Sequence, residues 1–405
     1  MKSNYKPIGD YIQLVDNRNS DLKASTLLGL TVNKEFIPSV ANTVGTDMAN
    51  YKIIKKNQFA CSLMQVRRDK KIPVAVLKKF DEAIISQAYP VFEVLNENEL
   101  LPEYLMMWFS RSEFDREACF YAVGGVRGSL EWDDFCNMQL PVPDIEKQRA
   151  IVKEYNTIVN RIKLNEQLNK KLEETAQAIY KQWFVDFGFP DEDGKPYKSS
   201  GGEMVWEADL DKELPKAWRN SVVKDFGKVV TGKTPSSNTP DHFGTEMPFV
   251  TPGDFNGYHK FATAAERYLS KKGYSFLKNK ILPMGSIIVT CIGSAMGKVA
   301  VAAGDCITNQ QMNSIIPYKK LYTDYLYYYL NSIAAELKGI AVGGSTMPML
   351  SKTDFEKVHI IQPEERVLQL FHDILEPMNN SILNNSLQIT CSQKLRDVLL
   401  VMSDN

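Results

Sequence analysis

The feature that most limits what this chain can fold into is an internal repeat. Val123-Gly124-Gly125 recurs as Val342-Gly343-Gly344, Asp134-Phe135 as Asp354-Phe355, and Pro143 as Pro363. Earlier in each half, residues 105–110 parallel 326–331, and Ile84-Ile85-Ser86-Gln87 parallels Ile307-Thr308-Asn309-Gln310. The matches keep one order at an offset of about 220 residues, which is the mark of a duplicated unit. At 405 residues the chain is too long for one ordinary core, so the repeat predicts two similar domains.

Each half divides into a mixed part and a long helix. The mixed parts span residues 1–143 and 219–363. They carry strand-like runs at 84–92 and 286–292, rich in β-branched residues and broken by Gly and Pro, and helical stretches at 103–117 and 323–337. The helical parts span 144–185 and 364–405. In the first, Ile151, Tyr155, Ile158, Ile162, Asn165, Asn169, Leu172, Ala176, Ile179 and Trp183 recur at spacings of three and four. In the second, Phe371, Leu375, Met378, Ile382, Asn385, Ile389 and Ser392 do the same, with Leu395 and Leu399 closing the run. These are heptad seams. A lone helix of roughly 50 Å with one apolar stripe is unstable in water, so the two seams are expected to pack on each other. Asn165 and Asn385 share a heptad position, where a polar residue either fixes register or sits solvated at the edge of the stripe. Residues 186–218 form a turn-rich connector, and Trp206 and Trp218 suggest that it packs onto something.

Composition narrows the functional classes. Hydrophobic residues make up 44% and charged residues 24%, as in a globular protein. No apolar run reaches the roughly 18 residues of a membrane span, and residues 1–7 lead into no signal-peptide core. Six cysteines without a C-x-x-C pair and four isolated histidines argue against a disulfide framework or a metal site and fit a reducing cytoplasm. The net charge of −1 counts against nucleic acid. Its distribution does not. From Lys52 to Lys79 nine basic residues face one acid, Asp69, while acids gather in 186–211.

Within that basic stretch, Gln65-Val66-Arg67-Arg68-Asp69-Lys70-Lys71 lies between strand-like 58–64 and 72–77 and reads as a hairpin with a basic tip. Arginine can bond guanine O6 and N7 bidentately, and glutamine adenine N6 and N7. Gln65, Arg67, Arg68, Lys70 and Lys71 are therefore candidate DNA contacts, with Asp69 placed to hold an arginine; the bland alternative is a solvated turn. The equivalent in the second half, residues 293–298, is far less charged, and only Ser294 and Lys298 are candidates there. The recurrent glycine turns bring Arg127 in one half and Ser345 and Thr346 in the other, suited to phosphate positioning or to a tight connection. Gln87 and Gln310 read as structural amides, and the tyrosines of 322–330 as core and partner surface.

Residues 227–234 match the phosphate-binding loop pattern G-x-x-x-x-G-K-T, but Pro235 and Pro240 prevent the helix that motif requires. Strand, glycine turn and polar loop is the better reading, with Lys233, Thr234 and Ser236 as possible phosphate contacts. No Pro-Pro pair of the kind a methyltransferase places beside its target amine occurs.

The stretch from Trp183 to Trp206, closing at Leu214-Pro215-Lys216-Ala217-Trp218, resembles the central region of Type I restriction–modification specificity subunits. Residues 143–148 and Gly232-Lys233-Thr234-Pro235 are similar to that family's pattern, and the duplicated layout covers the whole chain. Leu28-Gly29-Leu30-Thr31 in the first domain departs from the Gly-Thr-Pro opening. The resemblance implies an α+β protein: two mixed α/β target-recognition domains separated by two long helices in an antiparallel coiled coil, with a pseudo-two-fold repeat. It implies that each domain reads one part of a split, asymmetric site in double-stranded DNA. Two methyltransferase subunits, holding S-adenosylmethionine, would modify adenine N6, and restriction–translocase subunits can join them. The chain itself is expected to hold no catalytic centre, cofactor or metal. The rival reading is a coiled-coil scaffold whose duplicated domains bind protein.

Overall fold

The computed structural model describes residues 5–40, 46–124, 128–236, 238–340 and 349–402. The chain divides into two compact units, Met1–Asn160 with Gln393–Asn405, and Arg161–Ser392.

In the first unit a four-stranded antiparallel sheet runs in the order Ile12–Val15, Val91–Val94, Phe59–Cys61, Val74–Val76. Its register is fixed by pairs such as Ile12 with Val94 and Phe59 with Val76. Aromatic rings fill the space between this sheet and the helices Pro102–Phe109 and Ser112–Tyr121. Phe59 and Phe92 stack at 5.1 Å, and Phe109 meets Phe59 edge-on at 5.8 Å. Burying one such ring is worth roughly 1.5–3 kcal/mol. The strand-like run 84–92 is two strands, Glu82–Ile85 and Val91–Val94, because Pro90 cannot donate to a ladder. The helical run 103–117 is likewise two helices. Arg111 sits between them, its guanidinium 4.1 Å from the Trp108 ring centre.

The second unit repeats the plan. Its main sheet runs Gly227–Thr231, Met312–Pro317, Ile287–Thr290, Val299–Ala302, then Phe261–Ala262, added parallel to its neighbour. A second sheet holds Phe243–Gly244, Arg267–Leu269, Met247–Val250 and Ile307–Thr308. The stretch 323–337 is also two helices, Tyr322–Ser332 and Ala334–Ile340. Tyr322, Tyr325, Tyr327 and Tyr328 are buried in the core. Each mixed part is closed by pairing its first strand with its last: Tyr5–Pro7 with Gln139–Pro141, and Arg219–Val222 with His359–Gln362.

The long helices are Ile145–Tyr180, extended by a wide π turn over Lys181–Val185, and Glu365–Met402. Within the second unit they run antiparallel. Arg161 and Asn165 reach Gln388, Asn169 reaches Ser386, and the Tyr180 ring lies 6.4 Å from that of Phe371. Asn165 and Asn385 are both in the seam, but they do not pair with each other. Asn165 donates to Gln388 at 3.1 Å, and Asn385 donates to Asn169 at 2.9 Å. The result is a hydrogen-bonded polar layer that a register slip would break. Leu395 does not close the seam. It is 55% exposed, and Leu400 is buried instead, beside Val152 in the core of the first unit. A heptad count extended along a nearly straight helix drifts by about 20° per repeat, enough to rotate a terminal position out of the seam.

The connector folds back on the end of the first long helix. Trp218 is 5% exposed and packs on Phe184, Phe187 and Phe189, whereas Trp206 is 60% exposed. Among the described residues no helix is long and apolar enough to cross a membrane.

Candidate nucleic-acid interface

The basic tip of the first unit is a hairpin whose connection is a single helical turn, Val66–Asp69, between Phe59–Cys61 and Val74–Val76. Gln65 and Lys70 flank it with φ of 63° and 52°, at a cost on the order of 1 kcal/mol each for residues bearing a Cβ. Two inward contacts hold the shape. Val66 is fully buried, and the Ile72 N–H donates to Asp115, which is itself paired with the buried Lys34 at 2.8 Å. Burial pulls the Lys34 ammonium below its ordinary range.

With Val66 inward, Arg67, Arg68, Lys70 and Lys71 point to solvent. The Arg67 N–H donates to the Gly128 carbonyl at 3.3 Å, and its guanidinium to the Gly124 carbonyl at 2.9 Å. A Cβ at Gly128 would lie 3.0 Å from Arg67 Cδ, so glycine is what lets the arginine pass. The basic tip and the glycine turn are thus one surface, which the sequence did not indicate. Arg68 makes a bidentate pair with Asp69, at 2.7 and 3.0 Å. That hydrogen bond holds the Asp69 carboxyl below the usual carboxylate range. Gln65 is half-buried at the start of the turn. Part of the basic run is neutralised locally, Lys52 by Asp16 and Lys78 by Glu103. Arg127 lies outside the described residues.

The same frame recurs in the second unit. A short turn, Gly293–Ala295, joins Ile287–Thr290 to Val299–Ala302. In both units a leucine C-terminal to the recurrent glycines bonds the carbonyl entering the tip: Leu130 N–H to Leu63, and Leu350 N–H to Cys291, each at 2.9 Å. Here the tip is built from glycines, with φ of 61° at Gly293 and 85° at Gly297. Lys298 is exposed and donates to Asn256 at 2.8 Å. The backbone at Ser294 lies within the turn. Ser345 and Thr346 lie outside the described residues.

Residues 227–231 are a strand, and Gly232 lies against the carbonyls of Thr308 and Asn309, where no Cβ would fit. The segment therefore cannot curl around a phosphate as the nucleotide-binding motif does. Beyond it Lys233 and Ser236 are exposed and Thr234 is half-buried. Lys233 sits 5.7 Å over the exposed Phe276 ring. The Thr234 hydroxyl donates to Gln310 at 2.5 Å. The Gln310 and Gln87 side chains are both exposed. Lys233, Thr234 and Gln310 thus share one polar surface. Pairing across the second sheet, which brings Ile307–Thr308 beside Met247–Val250, places Gln310 there.

The family model for the Type I restriction modification DNA specificity domain matches this chain twice, over residues 12–174 and 215–390. The chain belongs to the Type I DNA specificity family. The Type I restriction enzyme HindI specificity subunit of Haemophilus influenzae is 27% identical, covering 92% of this chain and 91% of that protein. The MjaIX specificity subunit of Methanocaldococcus jannaschii is 25% identical, over 76% and 69%. A crystal structure of a Type I S subunit from M. genitalium superposes with a TM-score of 0.58 at 12% identity, over 98% of this chain and 94% of that one. The family match decides against the scaffold reading: this is a Type I DNA specificity subunit, the non-catalytic recognition component of its system.

Proposed function

We propose that each unit carries one reader, residues 1–143 and 219–363, and that each reads one part of a split, asymmetric site in double-stranded DNA. The observation that supports this best is the recurrence of one frame, a hairpin tip with a main-chain bond from Leu130 or Leu350 to the carbonyl entering it, with different side chains in the two units. Two copies of one reader would serve a symmetric site; two different tips suit an asymmetric one. On this reading Arg67 and Arg68 contact bases, Gln65 supports them, and Lys70, Lys71 and Arg127 hold phosphates. In the second unit the corresponding contacts fall to Lys233, Thr234, Ser236, Ser294, Lys298, Ser345 and Thr346. The paired helices set the distance between the two parts of the site. A second contact at fixed separation becomes intramolecular and multiplies specificity.

The subunit would work in the cytoplasm with two methyltransferase subunits that carry S-adenosylmethionine and methylate adenine N6, and with restriction–translocase subunits where these are present. Two pseudo-equivalent halves offer two similar docking surfaces, and the mass of the co-purified complex tests that count. Function is tested by co-expressing the chain with its methyltransferase and mapping N6-methyladenine genome-wide. One motif in two separated parts is expected. A continuous motif, or none from an assembled complex, would overturn the reading.

A further inference from the structure

We propose that Lys260 is a positioning residue that fixes the angle of the second reader on the helical ruler, and so sets how strictly the spacer length of the DNA site is enforced. This rests on the reading above of the helices as the spacer-setting element.

Lys260 is fully buried, as is Asp324. Its ammonium donates to Asp324 of Tyr322–Ser332 at 2.7 Å and to Asn379 of the second long helix at 2.6 Å. Asn379 donates back to Asp324 at 2.7 Å, and His372, on the same helix, meets the other Asp324 oxygen at 2.7 Å. The main chain of Lys260 joins the remaining elements. Its N–H donates to Glu173 of the first long helix at 3.0 Å, and its carbonyl accepts from Val301 of the main sheet at 2.8 Å. One residue therefore ties the reader's sheet and helix to both long helices.

The apolar packing of reader on helices, continuous elsewhere through Tyr180, Tyr328 and Phe371, is interrupted beside this network. A cavity of about 420 Å³ opens between the sheet and the second long helix, lined by Phe261, Met284 and Ile316 on one side and Asn380 and Leu383 on the other. Dispersion across such a gap is weak and has no preferred direction. Charged hydrogen bonds are short and angle-dependent. A small rotation of the reader would break several of them around a buried ammonium, which is costly. The demand for stiffness comes from DNA. Changing a spacer by one base pair turns one part of the site by about 35° and shifts it by about 3.4 Å. A reader free to swivel would accept such sites.

The test uses the assembled methyltransferase complex and duplexes carrying both mapped parts of the site at the natural spacing, one base pair shorter and one longer. The main variant is Lys260→Met with Asp324→Leu, which replaces a buried ion pair by apolar groups and so leaves no buried charge stranded. Asn379→Ala removes one of the two side chains by which the second long helix joins the link, from a half-buried position, and leaves the His372–Asp324 contact in place. A merely structural role would slow methylation of all three duplexes alike. The positioning role changes their ratio. The wild-type complex is expected to discriminate against the altered spacers by about tenfold or more, equivalent to about 1.4 kcal/mol. The double variant should lose most of that ratio while still methylating the natural site, and Asn379→Ala should lose less. Wild-type discrimination retained in both variants overturns the proposal and leaves the functional reading intact. A wild-type complex indifferent to spacer overturns both. Should the double variant fail to assemble, Asn379→Ala decides alone.

Discussion

The two hairpin tips occupy one place in a repeated frame and differ in almost everything they present. In the first unit the tip is a helical turn that projects Arg67 and Arg68, each locked by a specific acceptor, Gly124 and Asp69. In the second it is a glycine turn with one nearby cation, Lys298, bonded to Asn256. The backbone bonds from Leu130 and Leu350 are the same length. The frame is therefore held by main-chain bonds and a buried core, which leaves the tip's side chains free to vary. A different polar surface is found on Lys233, Thr234 and Gln310: the first two follow Gly227–Thr231 of the main sheet, and Gln310 follows Ile307–Thr308 of the sheet that contains Met247–Val250.

The largest effect should come from breaking the first tip. If Arg67 reads a base, Arg67→Ala costs roughly 1–3 kcal/mol and relaxes one position of one part of the site. The check is affinity of the assembled complex for a panel of single-base variants. Changed selectivity in both parts would contradict the assignment of one reader to each unit.

Each unit also holds a buried ion pair, in a different place. Lys34–Asp115 buttresses the first tip, and Lys260–Asp324 lies deep in the second unit. Burial raises the Asp324 carboxyl, but the Lys260 ammonium and the His372 hydrogen bond outweigh it and hold it at about 2. A carboxylate depressed in the folded state stabilises above its unfolded value, about 3.9, and that stabilisation is lost as pH falls towards the folded value. Asp324 should contribute on the order of 2 kcal/mol at pH 5 and almost nothing near pH 2. Denaturant unfolding of wild type and Asp324→Asn across this range measures it. A stability difference that persists at pH 2 would place the effect elsewhere.

The smallest effect is expected from Lys70 and Lys71. Replacing either with Ala should weaken binding to all sequences and reduce the salt slope by about 0.9 for each phosphate no longer neutralised, without altering selectivity. Titrations at several salt concentrations read this directly. An unchanged slope would return these lysines to the role of solvated surface charge.

What was legible in the sequence followed from periodicity. The repeat, the paired seams and the basic tip all announce themselves through spacing or charge within a short window. What was not legible depends on partners distant in sequence. Arg67 meets Gly124 across 57 residues, and Lys260 meets Asn379 across 119; nothing local marks either pair. Lys260 also sits in an ordinary polar stretch, so its burial has no local signal. Breaks inside the two helical runs leave no mark in the pattern because an aromatic and apolar face continues through both, from Trp108 to Phe114 and from Tyr329 to Leu337. Leu395 fails for the opposite reason: its spacing is right and the seam has already rotated away.

On the proposed function the paired helices are a ruler between two independent readers. The most direct measurement inserts one heptad after Arg161 and one after Gln388, which Arg161 contacts, away from the Lys260 network, and maps N6-methyladenine in cells expressing the altered subunit with its methyltransferase. Seven residues add roughly 10 Å, about three base pairs of rise. The expected result is the same two parts of the site with a spacer longer by about that amount. An unchanged spacer, or altered parts at the old spacing, would contradict it.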